Sequence, residues 1–228
     1  MRVAVLYSGG KDSTFALYEA LKKGWKIVAL ISVKPKNTEA YLWHYASVEW
    51  TLLSAAALDL PLFLIKCEKI GAKEVAKELE KVLRQIKIDA LILGGVGLQK
   101  TQINEIKKVA KKFGVKVILP HEGKDHYKLF EKAIKEGFDI RITQVASQGL
   151  GPEWLGKKID LKVLEELKKL SEKYGFHIGF EGGYADTFVV DGPIFKKRIE
   201  FVDAEKVWDN ATNSGYLEIK SAKLIEKR

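Results

Sequence analysis

The sequence predicts a doubly wound α/β domain built on a parallel sheet, followed by a smaller α+β domain. Three observations carry this. Short apolar, β-branched runs alternate with segments of helical period as far as Pro120, a rhythm that calls for right-handed crossovers between parallel strands. The first run, Arg2–Tyr7, is apolar almost throughout and so suits a strand buried on both faces. Beyond Pro120 the alternation breaks and short β segments with turn residues take over.

Taken in order, Arg2–Tyr7 stops at Ser8-Gly9-Gly10, and Phe15, Leu17, Tyr18 and Leu21 then keep helical spacing up to Gly24, which serves as a C-terminal stop. The pattern recurs as strand Lys26–Val33, a helix over about Tyr41–Leu58, strand Pro61–Lys66, helix Ala72–Ile86, strand Ile88–Leu93, helix Thr101–Phe113 and strand Val115–Leu119. A boundary near His121–Lys124 gives domains of residues 1–122 and 123–228. In the second, helix Tyr127–Glu136 and strand Asp139–Ala146 lead into the Gly/Pro-rich loop Ser147–Pro152. Leu161, Leu164, Leu167 and Leu170 carry a helix to Gly175, and Thr187–Val190, Lys197–Val202 and Leu217–Leu224 read as strands, with Asn213-Ser214-Gly215 as a turn.

Composition bounds the classes. At 228 residues with 46% hydrophobic and 30% charged residues, the chain is neither disordered, collagen-like nor a coiled coil. One cysteine, Cys67, excludes a disulfide framework and a cysteine-only metal cluster. No stretch approaches the roughly 18–20 apolar residues of a bilayer span, and Met1-Arg2-Val3 runs straight into a strand, so a cytoplasmic protein without membrane partners is expected. The net charge of +9 suits anionic ligands. Its lysines alternate with acids along helices, as in Ala72–Lys81, so nucleic acid is not the expected partner. The Lys/Glu-rich, amide-poor composition matches heat-adapted proteins, and the sequence leaves a homo-oligomer open.

The chemistry concentrates in Ser8-Gly9-Gly10-Lys11-Asp12-Ser13-Thr14, at the carboxyl end of the first strand and the start of the first helix. Helix N-termini there present unpaired N–H groups to anions. Gly9 and Gly10 let backbone amides approach closely, Ser8 and Ser13 add hydroxyls, and Lys11 adds a charge. Asp12 repels an anion unless it holds a divalent cation such as Mg²⁺ or caps the helix, and both roles stay open. The spacing is neither Gly-x4-Gly-Lys-Ser/Thr nor Gly-x-Gly-x-x-Gly. Two further strand ends, at Ser32 and at Gly94-Gly95, are candidates for contacts to the same ligand or for tight packing.

This loop resembles the Ser-Gly-Gly-x-Asp-Ser pyrophosphate loop of the N-type ATP pyrophosphatases, whose fold is Rossmann-like and adenine nucleotide alpha hydrolase-like. The resemblance implies ATP cleaved between its α and β phosphates, with an acceptor oxygen adenylated and pyrophosphate held by the loop. Three later stretches, Glu153–Asp160, Phe180-Glu181-Gly182-Gly183 and Asp191-Gly192-Pro193-Ile194-Phe195, together with Tyr41-Leu42-Trp43-His44, resemble signatures of the diphthine–ammonia ligase family. That family amidates diphthine on translation elongation factor 2 with ATP and ammonium. The implied catalytic residues are Lys11, Asp12 and Glu181; the implied nucleotide site is Ser8, Gly9, Gly10, Lys11, Asp12, Ser13, Ser32, Gly94 and Gly95. His44, Gly182, Gly183 and Asp186 fall on the acceptor side, and Asp12 on Mg²⁺.

The sequence departs from the family at Tyr184-Ala185-Asp186 and at Leu98–Gln102. Two alternatives therefore stand beside the ligase: an adenylating enzyme that modifies tRNA, and a non-catalytic adenine-nucleotide-binding paralogue. Glu181 and Asp186 also suit plain turn roles, His44 suits helix packing equally well, and Cys67 without a partner reads as an inert thiol.

Overall fold

The computed structural model describes residues 1–35, 48–67, 71–94 and 100–227. Its elements are β1 (Arg2–Leu6), α1 (Lys11–Lys22), β2 (Lys26–Pro35), α2 (Thr51–Leu58), β3 (Leu62–Cys67), α3 (Ala72–Leu83), β4 (Ala90–Leu93), α4 (Lys100–Lys112) and β5 (Lys116–Ile118). There follow α5 (His126–Lys135), β6 (Asp139–Val145), a 3-10 turn at Pro152–Trp154, α6 (Leu161–Tyr174), β7 (Ala185–Asp191), β8 (Lys197–Asp209) and β9 (Ser214–Glu226).

Two compact units result. The first holds Met1–Ser8, the chain from Asp12 through β2, and Leu60–Glu122. Its five strands run in the order β3-β2-β1-β4-β5, all parallel, as the alternating pattern predicts. Val3, Ala4 and Val5 of the central β1 are fully buried, which is why that strand carries no polar alternation. On one face, Val75, Leu79, Val82 and Leu83 of α3 and Ile106, Val109 and Ala110 of α4 join Ile31, Leu91 and Leu93 in a single core. Each large side chain so buried contributes about 1.5–3 kcal/mol.

The second unit is not contiguous in sequence: besides Gly123 onward it takes in Gly9–Lys11 and α2. Its sheet is antiparallel, in the order β7-β6-β9-β8. Asp125 caps α5 by accepting from the Lys128 amide at 3.1 Å, and Asp160 caps α6 by accepting from the Val163 amide at 2.8 Å. Gly175 then ends α6 in the left-handed region, as its position predicts.

Three expectations shift. Of the helix over about Tyr41–Leu58, α2 covers Thr51–Leu58, and residues 36–47 lie outside the described part. β8 and β9 run 13 residues each, longer than the stretches expected. Their turn is Asn210–Asn213, whereas Gly215 is a ladder residue opposite Trp208. Asp209 sets it there, accepting from the Ala211 amide and the Thr212 hydroxyl, each at 2.8 Å.

Candidate functional site

β1 pairs with β2 on one side and β4 on the other, so the strand order reverses across it. In open α/β sheets, ligands bind beyond the carboxyl ends of the strands at such a reversal. The chain leaves β1 there through Tyr7, which is pinned three ways. Its amide donates to Ile31 O at 2.8 Å, its carbonyl accepts from Ser32 Oγ at 2.7 Å, and its hydroxyl accepts from Thr14 Oγ1 at 3.2 Å. The Ser8 amide donates to Ser13 Oγ at 3.2 Å, and the two hydroxyl oxygens are also 3.2 Å apart. The first and last residues of the motif thus close the loop on itself.

Gly94 completes this side. A Cβ at that position would lie 2.6 Å from Ser13 Cα and 2.9 Å from Ala16 Cβ, so only glycine lets the end of β4 touch the first turn of α1. That is the tight-packing alternative for Gly94, and it fixes where α1 begins. Ser32 likewise spends its hydroxyl on Tyr7 within the sheet. Asp12, half-buried, lies in the first turn of α1, where a carboxylate interacts favourably with the helix dipole.

Within the second unit, Gly9 adopts φ +79°, and a Cβ there would lie 2.5 Å from Cε2 of the Phe188 ring. Its carbonyl accepts from the Val189 amide at 2.9 Å. The Lys11 amide donates to Thr187 Oγ1 at 3.2 Å, and Lys11 Nζ donates to Gly179 O at 2.8 Å. The same ammonium lies 5.2 Å and 5.9 Å from the ring centres of Phe130 and Phe180, and Lys11 is only 6% exposed. A carbonyl and two aromatic faces offset the desolvation of this charge. The Lys11 amide, its ammonium and the Ser8 amide are therefore all engaged by protein groups.

Glu181 follows Phe180, a non-glycine residue at φ 63°, and precedes Gly182 and Gly183 at φ 93° and 84°. These left-handed positions turn the segment sharply and bring Glu181 Oε1 to 3.4 Å from His126 Nε2. Asp186 is buried in β7 opposite Gln144. His44 and Gly95 lie outside the described residues.

Cys67 is fully buried, and burial first, then Glu78 and Glu74, push its thiol up to about 11. It therefore stays protonated at neutral pH and is a poor nucleophile. Among the described residues, no helix is long and apolar enough to cross a membrane.

The structure adds four residues that sequence reasoning passed over: Thr187 and Gly179, which hold Lys11, and His126 and His177. The two that hold Lys11 do so partly through a backbone carbonyl, which has no sequence signature. The spacing His177-x3-Glu181 around Gly179 was the one readable signal.

Residues 1–117 match the model of the diphthamide synthase N-terminal domain, and residues 125–225 match that of the diphthamide synthase C-terminal domain. The chain is 30% identical over 243 residues to the diphthine–ammonia ligase of Schizosaccharomyces pombe, covering 97% of this chain but 39% of that protein's length. To the diphthine–ammonia ligase of Homo sapiens it is 29% identical over 229 residues, covering 91% of this chain and 85% of that one. To that of Danio rerio it is 30% identical over 225 residues, with 90% and 87% covered.

Proposed function

The chain belongs to the diphthamide synthase family, and we propose that it amidates diphthine on translation elongation factor 2, using ammonium and cleaving ATP to AMP and pyrophosphate. The observation that carries this reading is the Ser8–Ser13 loop at the end of the central β1, where the strand order reverses.

An acceptor carboxylate oxygen attacks the α phosphorus and the bond to the β-phosphate oxygen breaks, so pyrophosphate leaves. Ammonia then attacks the activated carbonyl carbon, and AMP leaves with the electrons of the C–O bond. The chain's own residues hold the charge that develops. Lys11 exchanges the Gly179 carbonyl for a phosphate oxygen, the Gly9 and Gly10 segment presents amides, and the two serine hydroxyls flank the departing diphosphate. Asp12, a half-buried carboxylate in the first turn of α1, suits an oxygen-seeking cation. Mg²⁺, when bound, neutralises charge on the phosphates. Gly182, Gly183, Asp186 and His44 form the acceptor side in this reading, and the second domain supplies most of it. We assign the reaction to the cytoplasm, where the acceptor protein works.

The test is to incubate the chain with ATP, Mg²⁺, ammonium and diphthine-bearing elongation factor 2. The expected result is AMP and pyrophosphate in equal amounts, dependent on acceptor and ammonium, with the acceptor amidated. ADP and phosphate would refute cleavage at the α–β bridge. ATP binding without turnover under any acceptor would favour the nucleotide-binding paralogue.

A further inference from the structure

We propose that His126, His177 and Glu181 bind one borderline divalent transition-metal cation of the zinc class, at a site separate from the oxygen ligand expected for Mg²⁺ at Asp12. The proposal concerns the second unit alone and does not depend on the nucleotide reading.

The three ligands arrive from independent pieces of backbone. His126 is the first residue of α5, held by the Asp125 cap. His177 follows the Gly175 stop of α6, and its carbonyl accepts from the Phe180 amide at 2.8 Å. Glu181 is turned back toward both by the left-handed Phe180 and Gly182. One donor atom from each lies within 4.8 Å of the other two. The His126 Nε2 to Glu181 Oε1 separation is 3.4 Å. That is longer than an ordinary N–H···O hydrogen bond. It matches the roughly 3.3 Å between two donors that each sit about 2.0–2.1 Å from a tetrahedral cation.

One further observation favours a cation over a simple polar cluster. Glu181 Oε1 is shielded from solvent and has no hydrogen-bond partner among the described residues, a costly state for a carboxylate oxygen. The Gly179 amide donates to His177 Nδ1 at 3.2 Å, which engages that lone pair, so a cation binding His177 has to displace either this amide or the proton on Nε2. Gly179 is also what lets the rings converge. A Cβ there would lie 2.8 Å from His126 Nδ1 and 3.0 Å from His177 Cε1, whereas the rings now meet edge to face with centres 4.8 Å apart.

Two imidazole nitrogens and one carboxylate suit Zn²⁺, Co²⁺ or Ni²⁺ better than the all-oxygen cages of Mg²⁺ or Ca²⁺. Three protein ligands leave a coordination position open. Occupancy also braces Gly179, whose carbonyl accepts from Lys11 Nζ.

The test uses the tag-free full chain, stripped with chelator and titrated with Zn²⁺ against a chromophoric chelator. One Zn²⁺ per chain is expected. H126Q, H177Q and E181Q should each weaken binding by more than the roughly 10–100-fold that losing a hydrogen-bond partner of a ligand costs. Each variant is compared with its parent by circular dichroism and unfolding midpoint in chelator. A readout that needs no variant is carbethoxylation mapped by mass spectrometry on the unaltered chain. Zn²⁺ should protect His126 and His177. No Zn²⁺ bound, one Zn²⁺ retained by a folded H126Q/H177Q chain, or unprotected histidines at saturating Zn²⁺ would each overturn the proposal.

Discussion

Gly9→Ala isolates the geometry of the loop from its charge. At φ +79° an alanine meets the steric penalty of the left-handed region, about 1–2 kcal/mol. Its Cβ would also sit 2.5 Å and 2.8 Å from two carbons of the fully buried Phe188 ring, and overpacking of this kind costs about 1–3 kcal/mol. Lower entropy of the unfolded alanine chain offsets about 0.4–1 kcal/mol, leaving a destabilisation of roughly 2–4 kcal/mol. Because half of that comes from one ring, Phe188→Leu supplies the control. Alone it leaves a void and destabilises, but in the Gly9→Ala background it relieves the clash. The two changes should therefore couple by about 1 kcal/mol or more. Urea unfolding followed by circular dichroism measures both terms, and AMP release measures the loop's chemistry. A Gly9→Ala chain within about 0.5 kcal/mol of its parent, or strictly additive effects with Phe188→Leu, would refute this account.

Lys11→Met keeps an apolar stem between Phe130 and Phe180 while removing the ammonium, so folding should persist while AMP release falls about 100-fold or more, as steady-state kinetics will show. Gly94→Ala should destabilise by about 1–3 kcal/mol, because its Cβ would meet Ser13 Cα, a backbone atom that cannot swing aside; the unfolding midpoint checks this. For Cys67, burial raises the thiol from an ordinary value near 9 to about 11. The stability this supplies is complete below the unfolded value and is lost as pH rises from about 9 through 11, by roughly 2–3 kcal/mol at most. Comparing the alkaline unfolding slopes of the parent and Cys67→Ala tests it, and equal slopes would contradict the buried thiol.

What was legible in the sequence follows from how each element is stabilised. β1 and β4 are buried on both faces, so their apolar runs had no competing reading, and the parallel α/β class came with them. β8 shows the opposite case. Most of its 13 residues are exposed, so Glu205, Lys206 and their neighbours carry no apolar alternation, and the strand persists on its ladder with β9. Only the first part, with the buried Ile199, announced itself. The same distinction runs through the site. Ser8, Gly9 and Ser13 are identifiable because side chain, or its absence, is what each contributes. The acceptor that Gly179 offers the Lys11 ammonium was not, since it is a backbone carbonyl 168 residues away. Gly179 therefore joins two features that the sequence presents as unrelated: its carbonyl takes the loop lysine, and its missing side chain admits His126 and His177. A substitution there should disturb the lysine and the histidine pair together, whereas a change at Lys11 alone should leave the histidine pair in place.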